Sequence, residues 1–440
     1  MSETNTTESI VSSVAKNTNN NQKDHTMTKA KITDPKYRTA FILVTTLFFM
    51  WGLSYGLVDV LNKHFQETLH VTKAQSGLIQ AAYFGAYFVI ALPAGLFMEK
   101  KGYKAGIIMG LLLYAVGALL FVPAANANSF YFFLVALFVL ALGLGCLETA
   151  ANPYSAALGD PNTAETRLNL SQSFNGLGQF VGPLIGGLLF FEGGEKAAQA
   201  VSDAGGGQTA VMVTYVVIAI VVLCLMCFIA KTPLPDLRSN EAQLDAQEST
   251  TGKNSIWAHK EFVFGVFTQF VYVAAQVGVG AFFINLTVEC WPEATSQKGA
   301  YLLSIAMLCL MIGRFASTGI MTKVAPAKLL TIYGVICVIL SALAAAAIDY
   351  VSVIAVVGIF FFISIMFPTI FAMGVKNLGS KTKLGSSFMI MAIVGGAIMP
   401  FFMGKVADSS HISTSYILPL FCFVVVVIYG ATYHKLHKTH

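Results

Sequence analysis

The sequence has few charged residues. Asp, Glu, Lys and Arg make up 11% of its 440 residues and hydrophobic residues 56%, whereas an ordinary soluble domain is about 25% charged. A bilayer core about 30 Å thick takes about 20 residues per helix. A chain of this length can therefore hold about a dozen spans with short connections and no large soluble domain beside them. The composition predicts an all-α polytopic membrane protein.

Clusters of metal-binding and redox residues are also missing. The seven cysteines are an odd number and most lie in apolar segments, so a disulfide framework is not expected. The eight histidines are assigned to the N-terminal tail, the loops and the C-terminus, and neither an HExxH motif nor a Gly-rich phosphate loop occurs. We therefore expect no metal, no cofactor and no enzymatic activity. A membrane-embedded enzyme is the alternative that these absences disfavour.

Twelve apolar segments separated by polar breaks predict twelve transmembrane helices. They fall at about 39–62, 74–98, 105–124, 129–155, 167–191, 211–230, 261–287, 299–322, 328–348, 351–374, 384–405 and 414–434. The longest polar stretch follows the sixth segment, so we expect two bundles, 37–230 and 261–440, joined by a cytoplasmic linker at 231–260. Residues 1–36 are rich in Asn, Thr, Ser and Lys and predict a disordered cytoplasmic tail.

Basic residues set the expected orientation. Lys and Arg in short loops stay on the cytoplasmic side, and most of them, Arg167 included, fall on one side if the chain starts inside. The opposite side keeps Lys63, Lys73, Lys196, Lys298 and Lys405. Both termini are therefore expected in the cytoplasm. The net charge of +5 is spread over these loops, so no nucleic-acid partner is expected.

Several motifs resemble one transporter family. The loop GLFMEKKGYKAG (Gly95 to Gly106) resembles the signature of the major facilitator superfamily, with Glu99 where an Asp is usual. The segments GLGCLETAANPY, RLNLSQSFNGLG and FPTIFAMGVKNLG resemble its fucose–galactose–glucose proton symporter branch. The likeness runs from about Phe48 to Tyr429. It implies two six-helix bundles around a sugar cavity, alternating access, and symport of a proton with a neutral monosaccharide, L-fucose or a related hexose, across a bacterial inner membrane.

Two carboxyl groups lie well inside the apolar segments, Asp59 in the first and Glu148 in the fourth. A charged carboxylate at a helix centre costs about 2.5 to 3.5 kcal/mol on insertion scales, so such residues are commonly functional. A carboxyl group in a low-dielectric cavity favours its neutral form, as proton coupling requires. The resemblance places the family's two essential acids at these positions. The alternative is structural: pairing with a basic residue or capping of a helix.

A sugar needs amides and carboxylates that bond its hydroxyl groups. Asn169, Gln172, Asn175 and Gln179 share one face of the fifth segment; amides that join helices are the alternative. Asn152 lies one turn after Glu148, and Gln276 is the expected contact from the second half. We expect sugar binding by Asn152, Gln172, Asn175 and Gln276, and proton coupling by Asp59 and Glu148.

The resemblance fails at one place in the first segment. Where the family has an Asn immediately before its aspartate and another three residues before it, this sequence has Val58 and Gly56. The sequence therefore does not decide which sugar enters. An uncoupled or sodium-coupled facilitator remains the alternative to a proton symporter. We expect a monomer whose partners are the sugar, the proton and the lipid bilayer.

Overall fold

The computed structural model describes residues 33, 35–159, 164–191, 208–234, 256–321, 323–376, 378 and 382–437. Most of the predicted tail and most of the predicted linker lie outside these ranges, so the structure leaves both predictions untested. Within the described ranges every regular element is a helix.

Twelve long helices follow one another, as predicted. They are α1 (Arg38–Thr68), α2 (Lys73–Ser76 and Leu78–Lys101), α3 (Tyr103–Leu119 and Phe121–Asn126), α4 (Phe130–Ala157), α5 (Ala164–Leu189), α6 (Thr209–Lys231), α7 (Lys260–Ala281 and Phe283–Cys290), α8 (Ser296–Met321), α9 (Pro326–Ala345), α10 (Asp349–Ile363 and Met366–Val375), α11 (Thr382–Met391 and Gly395–Ser409) and α12 (Ile412–Ser415 and Ile417–His437). Eleven of them are long and apolar enough to cross a membrane. The other is α5, whose amide side chains make it more polar.

Local sequence signals explain where some of these helices begin. At the start of α2, Thr72 Oγ1 accepts a hydrogen bond from Gln75 N, and Gln75 Oε1 accepts one from Thr72 N. This capping box satisfies N–H groups that have no partner inside the helix. Helix α9 begins at Pro326, a position where the missing N–H is not needed.

The helices pack in the same pattern within each of the two halves. Helix α1 packs on α5 as α7 packs on α11, and α4 packs on α2 and α3 as α10 packs on α8 and α9. Helix α3 contacts α6 as α9 contacts α12. Between the halves, α5 contacts α8 and α11 contacts α2. Each contact recurs six helices later, which confirms the predicted architecture of two six-helix bundles.

Two residues lie deeper than the sequence analysis placed them. His64, assigned to a loop, lies inside α1, 1% exposed, with Nδ1 2.9 Å from the Phe190 carbonyl oxygen. Arg167, counted among the loop cations, is buried within α5, and its Nε donates to the Ser155 carbonyl. The assignment of His64 was wrong because its polar side chain was taken to end the apolar segment. Arg167 was the first residue of its predicted segment, whereas the helix begins three residues earlier, at Ala164. The helices continue past these residues, since the folded chain supplies carbonyl partners for them.

The largest contact within the first half is the crossing of α1 and α5. A Cβ atom added at Gly178 would press on the Phe49 carbonyl oxygen and lie 2.6 Å from Leu53 N. The two backbones approach this closely only because position 178 has no side chain, a common device where membrane helices pack.

We therefore expect Gly178→Ala to lower the thermal unfolding temperature in detergent, because overpacking costs about 1 to 3 kcal/mol. Gly85→Ala is the matched control: a Cβ at this α2 position meets nothing within 4 Å, and Ala favours a helix over Gly. Equal unfolding temperatures for the two variants would contradict the close crossing.

Candidate substrate and proton site

The bundle has two ends, which we name by what they hold. The tail end holds the start of α1 at Arg38 and the end of α12 at His437. The loop end holds the α1–α2 connection, residues 69–72. Because helices alternate in direction, the start of α2 and the end of α11 both lie at the loop end.

Hydrogen bonds join the two halves at the loop end. The Asp408 carboxylate of α11 accepts from Lys73 N at 3.0 Å and from Ala74 N at 2.9 Å, and Lys73 Nζ donates to the Ala407 carbonyl at 3.2 Å. The first N–H groups of a helix lack partners within it, so a carboxylate from the other half satisfies the start of α2. These contacts close the α2–α11 side of the loop end.

The α1–α7 side of the loop end is joined as well. Asn285 Nδ2, in the second segment of α7, donates to Gln66 Oε1 of α1 at 2.6 Å. Ser296 Oγ, at the start of α8, donates to the Glu67 carboxylate. Further in, Ser304 Oγ of α8 donates to the Phe180 carbonyl of α5 at 3.0 Å. The structure is therefore a conformation whose loop end is closed.

Asp59 lies behind this closure and is 4% exposed. Its Oδ1 accepts a hydrogen bond from Gln80 Nε2 of α2 at 3.3 Å, whereas Oδ2 has no hydrogen-bond partner among the described residues. A Cβ atom on Gly280 of α7 would lie 2.8 Å from Oδ2. The second half thus covers the carboxyl group, and the absence of a side chain at Gly280 lets it do so.

Glu148 has a more open environment. It lies in α4 and is half-buried. Within the described residues it makes neither a hydrogen bond nor an ion pair. The two predicted acids therefore differ in one conformation: Asp59 is buried, whereas Glu148 is half-buried.

Sequence reasoning missed two tyrosines between these acids. Tyr83 and Tyr87 of α2 are buried, with their hydroxyl oxygens 3.4 Å apart. Tyr83 interacts electrostatically with both Asp59 and Glu148, and Tyr87 with Glu148. The available signal was two tyrosines four residues apart, which share a helix face. Phenol hydroxyl groups both donate and accept, so the pair adds two polar groups to the surroundings of the carboxyl groups.

Two of the predicted sugar ligands meet in the structure. Gln172 Nε2 of α5 donates to Asn152 Oδ1 of α4 at 3.2 Å, and both side chains are half-buried. Asn152 lies one turn after Glu148. The structure thus places a carboxyl group and two amides on facing helices, and these groups are a donor and acceptor set suited to hydroxyl groups.

The other predicted amides have different surroundings. Asn175 is buried: its Nδ2 donates to the Phe48 carbonyl of α1 at 3.2 Å, and its Oδ1 accepts from Gln179 Nε2 at 2.7 Å. In this conformation Asn175 joins α5 to α1. Gln276 of α7 is half-buried and makes no hydrogen bond to a described residue. The side chain of Asn169 lies outside what the structure describes.

Metal ligands do not cluster in the described ranges. No three His, Cys, Asp or Glu side chains in them come together as a metal ion would need. Within these ranges, carboxyl groups, amides and phenols supply the polar lining of the candidate site.

Comparisons with known proteins agree with this architecture. The family model of the Major Facilitator Superfamily matches residues 41–400. The L-fucose-proton symporter of Escherichia coli (strain K12) is 39% identical over 90% of this chain and 93% of that protein. The glucose/galactose transporter of Brucella abortus biovar 1 (strain 9-941) is 36% identical over 92% and 96%.

Solved structures agree as well. The crystal structure of the transporter FucP in the outward conformation is 36% identical, covers 90% of this chain and 99% of its own, and superposes with a TM-score of 0.64. The inward open xylose transporter XylE of E. coli, at 10% identity and a TM-score of 0.69, shares the fold alone. With a family model over most of its length and relatives at this identity, the chain belongs to the Major Facilitator Superfamily.

Proposed function

We propose that this protein is a secondary active transporter that carries a neutral monosaccharide, L-fucose or a related hexose such as galactose or glucose, together with a proton by alternating access. The observation that carries the proposal is the pair of carboxyl groups, Asp59 and Glu148, inside spanning helices with no ion pair among the described residues. The names of the relatives, an L-fucose-proton symporter and a glucose/galactose transporter, support the same activity.

The orientation follows from the basic residues of the loops. With both termini in the cytoplasm of a bacterial inner membrane, the loop end faces outward. The described conformation is then closed to the outside. The proposal also includes the bundles 37–230 and 261–440, the linker, the cytoplasmic tail and a monomeric state.

Sugar binding uses groups from both halves. Glu148, Asn152 and Gln172 present a carboxyl group and two amides from α4 and α5, and Gln276 presents an amide from α7. Ring hydroxyl groups that bond both halves favour closure around the sugar, because one ligand then replaces water at two surfaces. We propose Asn175 as a further ligand that becomes available when α1 and α5 move.

The proton is coupled to the conformational change through Asp59, the acid that is covered when the loop end is closed. When the loop end opens, α7 moves away from α1. Gly280 then no longer covers Asp59, and the carboxyl group becomes accessible from outside. A protonated Asp59 can then be buried again at a lower cost, since burying an isolated carboxylate is expensive. After closure, release of the proton and the sugar at the tail end completes the cycle.

Neutral substitutions separate proton coupling from sugar binding. Glu148→Gln and Asp59→Asn mimic the protonated side chains, so we expect both variants to exchange sugar across the membrane but not to accumulate it. The measurement is counterflow and net uptake of labelled L-fucose, galactose and glucose in proteoliposomes with an imposed proton gradient, together with external pH.

Glu293→Gln is the matched control, because Glu293 is exposed in the α7–α8 connection, and it should keep full accumulation. If a neutral variant of Asp59 or Glu148 still accumulates sugar, that acid takes no part in coupling. If uptake by the wild-type protein does not depend on the proton gradient, proton symport is refuted, and a sodium gradient would be tested next.

The two amides of α5 should respond differently to truncation. Gln172→Ala is expected to weaken sugar binding about five- to thirty-fold, which corresponds to about 1 to 2 kcal/mol for a lost hydrogen bond. Asn175→Ala should weaken sugar binding less than Gln172→Ala, because Asn175 is joined to α1 in the described conformation, and it should also lower the unfolding temperature, since the Phe48 carbonyl and Gln179 lose their partner. Titration calorimetry and thermal unfolding in detergent measure both effects. A Gln172→Ala variant that loses stability but keeps its affinity would make Gln172 a helix contact.

A further inference from the structure

A chain of four amide side chains runs from the second half to Asp59. Asn285 Nδ2 donates to Gln66 Oε1 at 2.6 Å, and Gln66 Nε2 donates to Asn62 Oδ1 at 2.7 Å. Asn62 Nδ2 donates to Gln80 Oε1 at 3.0 Å, and Gln80 Nε2 donates to Asp59 Oδ1 at 3.3 Å. Every amide donates in the same direction, toward the carboxyl group.

One backbone carbonyl fixes this direction. Asn62 Nδ2 also donates to the Ser76 carbonyl oxygen at 3.2 Å, which can only accept. The Asn62 NH2 group must therefore face Ser76 and Gln80, so that the Gln80 oxygen faces Asn62 and its NH2 group faces Asp59. By the same logic the Asn62 oxygen faces Gln66, whose own oxygen faces Asn285. The order does not depend on a free choice of amide orientation.

The chain lies in a low-dielectric environment. Asn62, Ser76 and Gln80 are 0% exposed, and Asn285 is 6% exposed. Hydrogen bonds in series polarise one another in such surroundings, and a bond to a charged acceptor is stronger than a bond to a neutral one. The completed chain therefore stabilises the carboxylate of Asp59 more than its carboxylic acid.

The titratable groups around Asp59 are phenols, so stabilisation of its carboxylate comes from the amides. The titratable groups that interact with it are the phenols of Tyr55 on α1, Tyr83 on α2 and Tyr416 on α12. No Lys, Arg or His of the described residues forms an ion pair with it. Near the far end of the chain, Lys63 and Glu67 are paired with each other at 3.3 Å.

The chain crosses from one half to the other at a single link. Asn285 belongs to α7, whereas Gln66, Asn62 and Gln80 belong to α1 and α2. Opening of the loop end, which separates α7 from α1, must break the bond between Asn285 and Gln66. The amide chain is therefore complete only while the loop end is closed.

We propose that this chain lets Asp59 release its proton while the loop end is closed, with Gln80, Asn62 and Asn285 as positioning residues. The proposal rests on the proposed proton symport and adds a physical link between the gate and the proton. In the open state Gln80 still donates to Asp59, but the chain lacks Asn285. Closure buries Asp59, which disfavours the carboxylate, and the completed chain offsets part of that cost, so that the proton can leave toward the tail end.

The test measures net sugar uptake into proteoliposomes against internal pH at constant external pH, with transporters of the same orientation. Gln80→Leu removes the donor to Asp59 and keeps a similar volume. We expect its half-maximal internal pH to move up by about one unit, the order of a hydrogen bond to a charged group. Asn285→Ala should move it in the same direction by less. Sugar counterflow should stay within about twofold of wild type in both variants.

Ser304→Ala is the matched control, because it removes a hydrogen bond between the halves that is not part of the chain. Its internal pH profile should match wild type. In an Asp59→Asn background, adding Gln80→Leu should leave the pH profile of counterflow unchanged. If the Gln80→Leu variant does not fold, the internal pH profile of Asn285→Ala alone tests the proposal.

Two results overturn the proposal: unshifted profiles for Gln80→Leu and Asn285→Ala, or an equal shift in Ser304→Ala, which would show a general weakening of the gate. Both results count against the proposal only when uptake by the wild-type protein responds to the proton gradient. A wild type without that response refutes the proposed proton symport itself, so the two failures are distinguishable.

Discussion

A carboxyl group inside apolar helices, with no cation paired to it among the residues that the structure describes, is the constraint on which the rest of the structure depends. Burying an isolated charge is costly, so Asp59 can be covered only where neutral donors stabilise the charge or where a proton removes it. The structure supplies a donor from Gln80 and leaves Oδ2 facing Gly280. A lysine in the same place would pair with Asp59 permanently and end its use as a proton carrier.

The duplicated halves explain how the gate closes with few contacts. Because each half packs by the same rule, the halves meet through equivalent pairs, α5 with α8 and α11 with α2. At the loop end helix packing is supplemented by hydrogen bonds to backbone groups, amides and carboxylates, such as the one that Lys73 N donates to Asp408. Each contributes about 0.5 to 1.5 kcal/mol net, or somewhat more when charged. A sum of a few such bonds closes the gate and still allows it to open.

Sequence patterns predicted the twelve helices and both acids, because apolar length and a buried charge are properties of one segment at a time. They failed where a partner lies far along the chain. His64 was placed in a loop and Arg167 at the edge of its segment because their carbonyl partners, Phe190 just after α5 and Ser155 in α4, lie outside their own helices. Gln80 and Asn62 gave no signal for the same reason. The alternatives for Asn175, sugar ligand or helix contact, share one helical face, so spacing could not separate them.

The different exposure of the two acids suggests how they divide the work. Asp59 is covered by Gly280 of α7, so under the proposed function its charge responds to the opening of the loop end. Glu148 lies one turn before Asn152, which accepts from Gln172, so under the proposed function its charge responds to the sugar. Tyr83 interacts with both carboxyl groups and lies 3.4 Å from Tyr87, oxygen to oxygen. A change of charge at either acid therefore acts on the same phenol, so the two carboxyl groups share an electrostatic neighbour without direct contact.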